Sequence, residues 1–217
     1  MSQQLETVSV VDAAAARLRD SLFAGEYAAG QELKDTRVAG EFGIARPTAR
    51  AAVQQLISEG LLVRPPGHSA RVRTFDADEV RDIYRIRRLI ELDAVREVRE
   101  TGAPLDGVLE ALRGFEDLKD DANWTVIVEA DFAFHSAVVK AAGSPRLRAL
   151  FLGISSESRL LIGILKDQYR GGASLYEEHE ELYRMLERGA DPAELERAWV
   201  EHLDSAQRFV ERHIADR

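Results

Sequence analysis

The sequence predicts a mostly α-helical protein in two parts: a winged helix-turn-helix over residues 1–75, then an all-α antiparallel helical bundle over residues 76–217. Three observations predict it. The stretch from Arg37 to Gly60 reads as two helices about a glycine corner, and Leu61 to Thr74 reads as a short hairpin. Beyond Asp78, helical patterns follow one another with no convincing strand, joined by loops short enough to make neighbours antiparallel.

Taken in order, residues 1–9 look like a loose arm. Val10 to Phe23 is an amphipathic helix with Val11, Ala14, Leu18 and Leu22 on one stripe and Asp12 and Asp20 on a solvated face, closing at Gly25. Glu26 to Glu32 is a turn leading to Leu33, expected to form a small strand beside the hairpin. The first helix of the pair runs from Arg37 to Phe42. Gly43 supplies the positive φ of a sharp corner, and Ile44 plugs the angle between the helices. Pro47 falls in the first turn of the second helix, where a missing N–H costs nothing. Val53, Leu56 and Ile57 turn one face inward, while Arg46, Thr48 and Arg50 crowd the other face at its N-terminal end. That is the geometry of a recognition helix for the DNA major groove, although a helical hairpin with solvated arginines fits this stretch equally well. Leu61–Arg64 and Arg71–Thr74 read as strands around the turn Pro65 to Ser69. A hairpin directly after a helix-turn-helix is a wing, and this one carries Arg64, His68, Arg71 and Arg73.

In the second part, helices are expected at 77–101, 104–119, 121–142, 145–169, 174–188 and 192–214, divided by Thr101 to Pro104, Gly143-Ser144-Pro145, Gly171-Gly172 and Gly189 to Pro192. Asp131 and His135 are four residues apart, so they share one helix face. His179 and His202 lie on two later helices, whereas His68 is in the wing and His213 is near the end. One carboxylate with three imidazoles suits a divalent metal, Zn²⁺ or Ni²⁺, with positions left open for water or a carboxylate ligand. By spacing alone, the same histidines also fit ordinary core and surface positions.

Composition limits the function classes. Cysteine is absent, which excludes disulfides and thiolate metal sites. No apolar run approaches the ~20 residues of a membrane span, and MSQQLETVSV lacks the features of a signal peptide, so a cytoplasmic protein without membrane partners is expected. The net charge of −9 is unevenly spread: nine Lys and Arg stand against eight Asp and Glu through residue 75, and twenty against thirty beyond it. A nearly neutral first domain neutralises few phosphates, so any DNA binding must rest on local arginine clusters and on two copies acting together as a homodimer on a palindromic operator.

The chain resembles the GntR family of bacterial transcriptional regulators, in the FadR-like subgroup. The residues that carry the resemblance are Gly25, Ala29, Gly30 and Leu33 ahead of the helix pair, the IARPTAR core from Ile44 to Arg50, the EGL at Glu59 to Leu61, and the wing PPGHSARV. The resemblance implies DNA contacts at Arg46, Arg50 and the wing-tip Gly67, with Thr48 on the same face. A further contact position is Thr36 here, and the adjacent Arg37 is a candidate substitute. Two departures stand out: the usual serine cap is Ala45, a loss of about 1 kcal/mol of capping, and the second wing glycine is Ser69. Regulators of this subgroup with an FCD-type ligand domain carry a D-x-x-x-H and two later histidines, and Asp131, His135, His179 and His202 match them one for one. The resemblance therefore implies a metal that helps to bind a small organic acid effector. Arg87, in YRIRRLIE, and Arg159 are the candidates to grip its carboxylate. It also implies a ligand-responsive regulator, most often a repressor, and no enzyme. Two other readings use the same residues: a metal-dependent hydrolase, for which no general base stands out and which leaves the winged helix unused, and a sensor of the metal itself.

Overall fold

The computed structural model describes residues 9–116, 118, 123–169 and 172–216, and the chain divides into two compact units, Met1–Thr74 and Phe75–Arg217. The expected arm lies almost wholly outside the described residues. So do Gly171 and residues 117, 119, 121 and 122, at the expected ends of two helices.

The first unit has three helices and a small sheet: α1 (Val10–Phe23), β1 (Glu32–Leu33), α2 (Asp35–Phe42), α3 (Arg46–Ser58), β2 (Leu62–Val63) and β3 (Ala70–Val72). The strands pair antiparallel in the order β1-β3-β2, with Leu33 opposite Ala70 and Val63 opposite Arg71. Both wing strands are shorter than the pattern predicted. Pro65 and Pro66 have no N–H to donate, so the ladder stops at Val63, and the turn closes instead through His68 N–H donating to Pro65 O. Leu18, Leu33, Val53, Leu56 and Leu61 are fully buried and form a core between α1, α3 and the sheet. Gly43 caps α2 at φ 65°, so the corner between α2 and α3 uses the left-handed backbone that glycine alone adopts freely. Ala45 occupies the N-cap of α3 with no side-chain hydrogen bond, and Pro47 sits in the first turn.

The second unit consists of α4 (Ala77–Thr101), α5 (Asp106–Glu116), α6 (Trp124–Ala141), α7 (Pro145–Gly153), α8 (Ser155–Ile164), a 3-10 turn (Leu165–Asp167), α9 (Gly172–Glu187) and α10 (Pro192–Ala215), with no strand among the described residues. A reciprocal capping box between Asp76 and Glu79 starts α4, and Gly102 at φ 61° ends it. The single helix expected over 145–169 is corrected. Ile154, at φ −105° and ψ 12°, breaks the ladder, and the change of direction lets Phe151 of α7 and Leu161 and Ile162 of α8 all reach the interior. Helix α6 is apolar almost all round and packs against α4, α5, α7 and α8, as the central helix of a bundle must. Asp131 and His135 are therefore buried because of the helix they sit on.

Candidate functional site

The recognition surface follows from α2, α3 and the wing. Lys34, Asp35, Thr36, Arg46, Arg50, Arg64, Gly67, His68 and Ser69 line one cleft. Arg46 and Arg50 are exposed, as a groove-reading side chain must be, and Gly67 turns the wing tip at φ 76°. Thr36 joins this cleft. Arg37 does not: its Nε donates to Glu41 Oε1 at 2.7 Å, Tyr27 donates to the same carboxylate, and the guanidinium lies 5.7 Å from the Tyr27 ring. Arg37 is thus exposed but paired outside the cleft, whereas Thr36 lies on its wall. Thr48 is half-buried and is not part of the cleft wall. Asp35, the first residue of α2, was not singled out from the sequence. It accepts from Arg50 Nε at 3.1 Å and from Arg64 Nη2 at 3.3 Å, and so joins the recognition helix to the wing through one carboxylate.

The second site lies inside the bundle. Asp131 and His135 of α6, His179 of α9 and His202 of α10 come together as the spacing and the resemblance implied. The Nε2 of His135 is 3.3 Å from the Nε2 of His179 and 3.3 Å from that of His202. Asp131 Oδ1 is 3.3 Å from His179 Nε2, and Asp131 Oδ2 is buried with no hydrogen-bond partner.

The outer nitrogens explain why the inner ones meet. His135 Nδ1 is 2.7 Å from Glu91 Oε2, His179 Nδ1 is 2.7 Å from the Leu175 carbonyl, and His202 Nδ1 is 3.2 Å from Glu178 Oε2. All three partners only accept, so each ring donates from Nδ1 and turns Nε2 inward. Burial holds His135 below the ordinary imidazole range against the pull of Glu91, and lowers His202 to about 4 against the pull of Glu178. Three inward-facing Nε2 atoms and a carboxylate are a donor set for a cation. For metal–nitrogen bonds of ~2.0–2.1 Å, tetrahedral geometry puts donors ~3.3–3.4 Å apart, which is the spacing found from His135 to each of the other two rings. The donor set therefore fits a divalent metal.

Glu91 was also missed. It is fully buried and accepts from Arg87 Nε at 2.8 Å, from His135 Nδ1 and from Trp199 Nε1 at 3.0 Å. Burial alone would raise its pKa, but Arg87, His135 and Trp199 together hold it well below the usual carboxylate range. A signal was present in the sequence. Val80, Tyr84, Arg87, Glu91, Val95 and Val98 form one apolar stripe, and two charges four residues apart inside such a stripe must pair with each other. Arg87 is thus inside the bundle beside the histidines. Arg159 is not: its Nε and Nη2 hold both oxygens of Glu129 at 2.8 and 3.0 Å, and its guanidinium lies 3.7 Å from the centre of the Phe132 ring. Glu129 is two residues from Asp131 on α6, so its side chain leaves the helix on a different face from Asp131.

Two protein-family descriptions match these two units: "Bacterial regulatory proteins, gntR family" over residues 11–72 and "FCD domain" over residues 82–205. The chain belongs to the GntR family. This GntR regulator is 25% identical over 209 residues to the HTH-type transcriptional regulator LutR of Bacillus subtilis, covering 84% of this chain and 93% of LutR. A putative GntR regulator from Rhodococcus sp. RHA1 is similar in structure, with a TM-score of 0.76 at 25% identity over 92% of this chain and 96% of the other. McbR/YncC of E. coli shares the fold, with a TM-score of 0.71 at 20% identity over 95% of this chain and 99% of the other. These are families of DNA-binding transcriptional regulators, not of enzymes. Among the described residues, no helix is long and apolar enough to cross a membrane.

Proposed function

We propose that this GntR regulator binds a palindromic operator as a homodimer, and that a divalent metal held by Asp131, His135, His179 and His202 makes its FCD domain responsive to a small carboxylate. The observation that carries the reading is the convergence of three Nε2 lone pairs whose Nδ1 protons are all committed outward. Zn²⁺ and Ni²⁺ suit the donor set, and either would offer a Lewis-acidic position to an anion. The surrounding residues do the rest: Glu91 and Glu178 fix the ring planes, Trp199 and Phe134 exclude water, and Arg87 adds positive charge on the α4 side. Arg46 and Arg50 read base edges, with Thr36, Thr48 and Gly67 beside them.

Helix α4 begins at Ala77, directly after the first unit, so a shift in its inner face travels along the one covalent link to the recognition helix. Coupling of only ~1–3 kcal/mol changes operator affinity 5- to 150-fold, and linkage requires operator DNA to weaken effector binding by the same factor. The test is metal analysis and operator binding of the full chain and of His135→Ala. The wild type should purify with one divalent ion per chain, and chelation should abolish its response to carboxylates. His135→Ala should lose both the ion and the response and still bind DNA. Full metal content in that variant, or an unchanged response, overturns the reading.

A further inference from the structure

Every cation of the first unit but one is a guanidinium. Residues 1–74 hold eight arginines and a single lysine, Lys34, and the other three lysines of the chain, Lys119, Lys140 and Lys166, all come later. That one amine stands on the wall of the recognition cleft, with Thr36, Arg46, Arg50 and Arg64. It belongs to the residue just before α2, whose backbone is extended at φ −87° and ψ 133°. The side chain is exposed, gives α2 no capping bond, and has no ion pair among the described residues.

The cleft is also where the positive charge of this unit is concentrated. Four cations, Lys34, Arg46, Arg50 and Arg64, face one carboxylate, Asp35, which Arg50 and Arg64 share. The local excess is three positive charges, in a unit whose cations outnumber its anions only nine to eight. Helix α3 starts at this cleft without a side-chain cap, so its first N–H groups add to the positive potential. A cleft lined by one sign of charge raises the local concentration of the opposite ion at least about tenfold. Guanidinium groups hold phosphoryl oxygens and stay protonated, whereas an amine can lose its proton and attack. Lys34 is the nucleophile in a cradle of guanidiniums that suits a phosphate.

We infer that Lys34 is a site of acylation by acyl phosphates, and that the modification weakens DNA binding. The inference rests on the proposed reading of this cleft as the surface that meets DNA. Arg46 and Arg64 hold the phosphoryl group, and the acyl carbon lies beside Lys34. The neutral amine of Lys34 attacks that carbon and forms a C–N bond. The C–O bond to the phosphoryl group breaks, its electron pair stays on the phosphate oxygen, and the proton lost by nitrogen passes to the departing phosphate. An amide and inorganic phosphate result, with nothing oxidised or reduced. The amide is neutral, so the excess in the cleft falls from three charges to two, and one DNA phosphate loses its counter-charge. No arginine of the unit can be switched in this way.

The probe is acetyl phosphate, applied to the full chain at fixed ionic strength, with modification at each lysine followed by peptide mass spectrometry. Lys34 should be acetylated about tenfold faster than Lys140 and Lys166, which are also exposed, and pyrophosphate should slow Lys34 alone. Equal rates at the three lysines, or an equal effect of pyrophosphate on all of them, would mean that exposure alone governs the reaction and overturns the inference. The consequence is read on a random-sequence duplex. Acetylated wild type should bind about fivefold more weakly, and the slope of log affinity against log salt should shrink by about one. Lys34→Arg, whatever its starting affinity, should keep that affinity through the same treatment. An equal loss in treated Lys34→Arg assigns the effect to another lysine and overturns the inference. Arg46→Ala on the same duplex is the control. If it weakens binding and acetylation of Lys34 does not, the inference fails and the DNA-facing cleft stands; if neither matters, the reading of the cleft fails with it.

Discussion

The recognition cleft and the bundle interior both bring arginines, carboxylates and histidines together, yet they hold them in opposite ways. In the cleft, Arg46 and Arg50 are solvated, and Asp35 bridges Arg50 and Arg64 from a partly exposed position. In the bundle, Arg87, Glu91, His135 and His179 are buried, and each polar contact fixes the next. Water screens the first set and cannot reach the second. The cleft can therefore rearrange to meet phosphates and bases at little cost, while the bundle holds its polar side chains in one arrangement. A regulator needs both: a soft reading surface, and a stiff sensor whose change of state is not absorbed locally.

The strongest way to break this contrast is to disturb a single charge in the interior. Glu91→Ala leaves Arg87 buried without its partner and frees the rings of His135 and Trp199. Removing one member of a buried pair typically costs about 3–5 kcal/mol, and loss of the group that orients a metal-binding histidine weakens metal affinity roughly 10- to 100-fold. Denaturant unfolding of the full chain and a competitive metal titration read the two effects. A variant with wild-type stability and metal affinity would mean that the interior is as forgiving as the cleft.

On the cleft side the expected effects are smaller. Arg50→Ala should lose about 1–3 kcal/mol on the cognate operator and relax preference at one base position, measured by binding to an operator series at fixed salt. Equal loss on cognate and random DNA would make Arg50 a phosphate contact. Gly67→Ala should cost about 1 kcal/mol of backbone strain, because the wing tip sits at φ 76°. An added Cβ there meets no atom within 4 Å, so any loss of operator affinity reports the turn and not a clash. Unchanged affinity would show that the tip adapts when it meets DNA.

The same contrast sets what the sequence revealed. The cluster of Asp131, His135, His179 and His202 was legible because histidine is scarce here, with five in the chain, and because a helix fixes what four-residue spacing does. The helix pair and wing were legible because Gly43, Pro47 and the Pro65-Pro66-Gly67 turn each have one physical use. Glu91, Glu178 and Asp35 were not legible. They are three of 38 acidic residues, and which of these pair depends on packing that no local spacing records. The pairing of Arg159 was hidden for the same reason: its partner Glu129 lies on another helix. The break at Ile154 carries no glycine–proline punctuation, and only the burial of Phe151 on one side and Leu161 on the other accounts for it.

The smallest expected effect sharpens the comparison most, because it reverses the usual sign of a lost ion pair. Asp35 bridges Arg50 and Arg64, and under the proposed function the same arginines meet, on DNA, phosphates and bases that carry more negative charge than one carboxylate. Asp35→Asn keeps the size and a hydrogen-bond acceptor while removing the charge. An exposed pair of this kind is worth at most about 1 kcal/mol, so folding stability should barely change. Binding should change more than stability. Without the competing carboxylate, affinity for random DNA should rise about threefold and become more salt-dependent, since one less negative charge opposes the phosphates. Affinity for the operator should rise less, because Arg50 loses the contact that aims it along the groove. The ratio of operator to random affinity should therefore fall, and a salt titration on both DNAs measures it. If the ratio is preserved while both affinities rise together, Asp35 only dampens non-specific attraction. If neither affinity moves, the bridge across the cleft has no part in reading DNA.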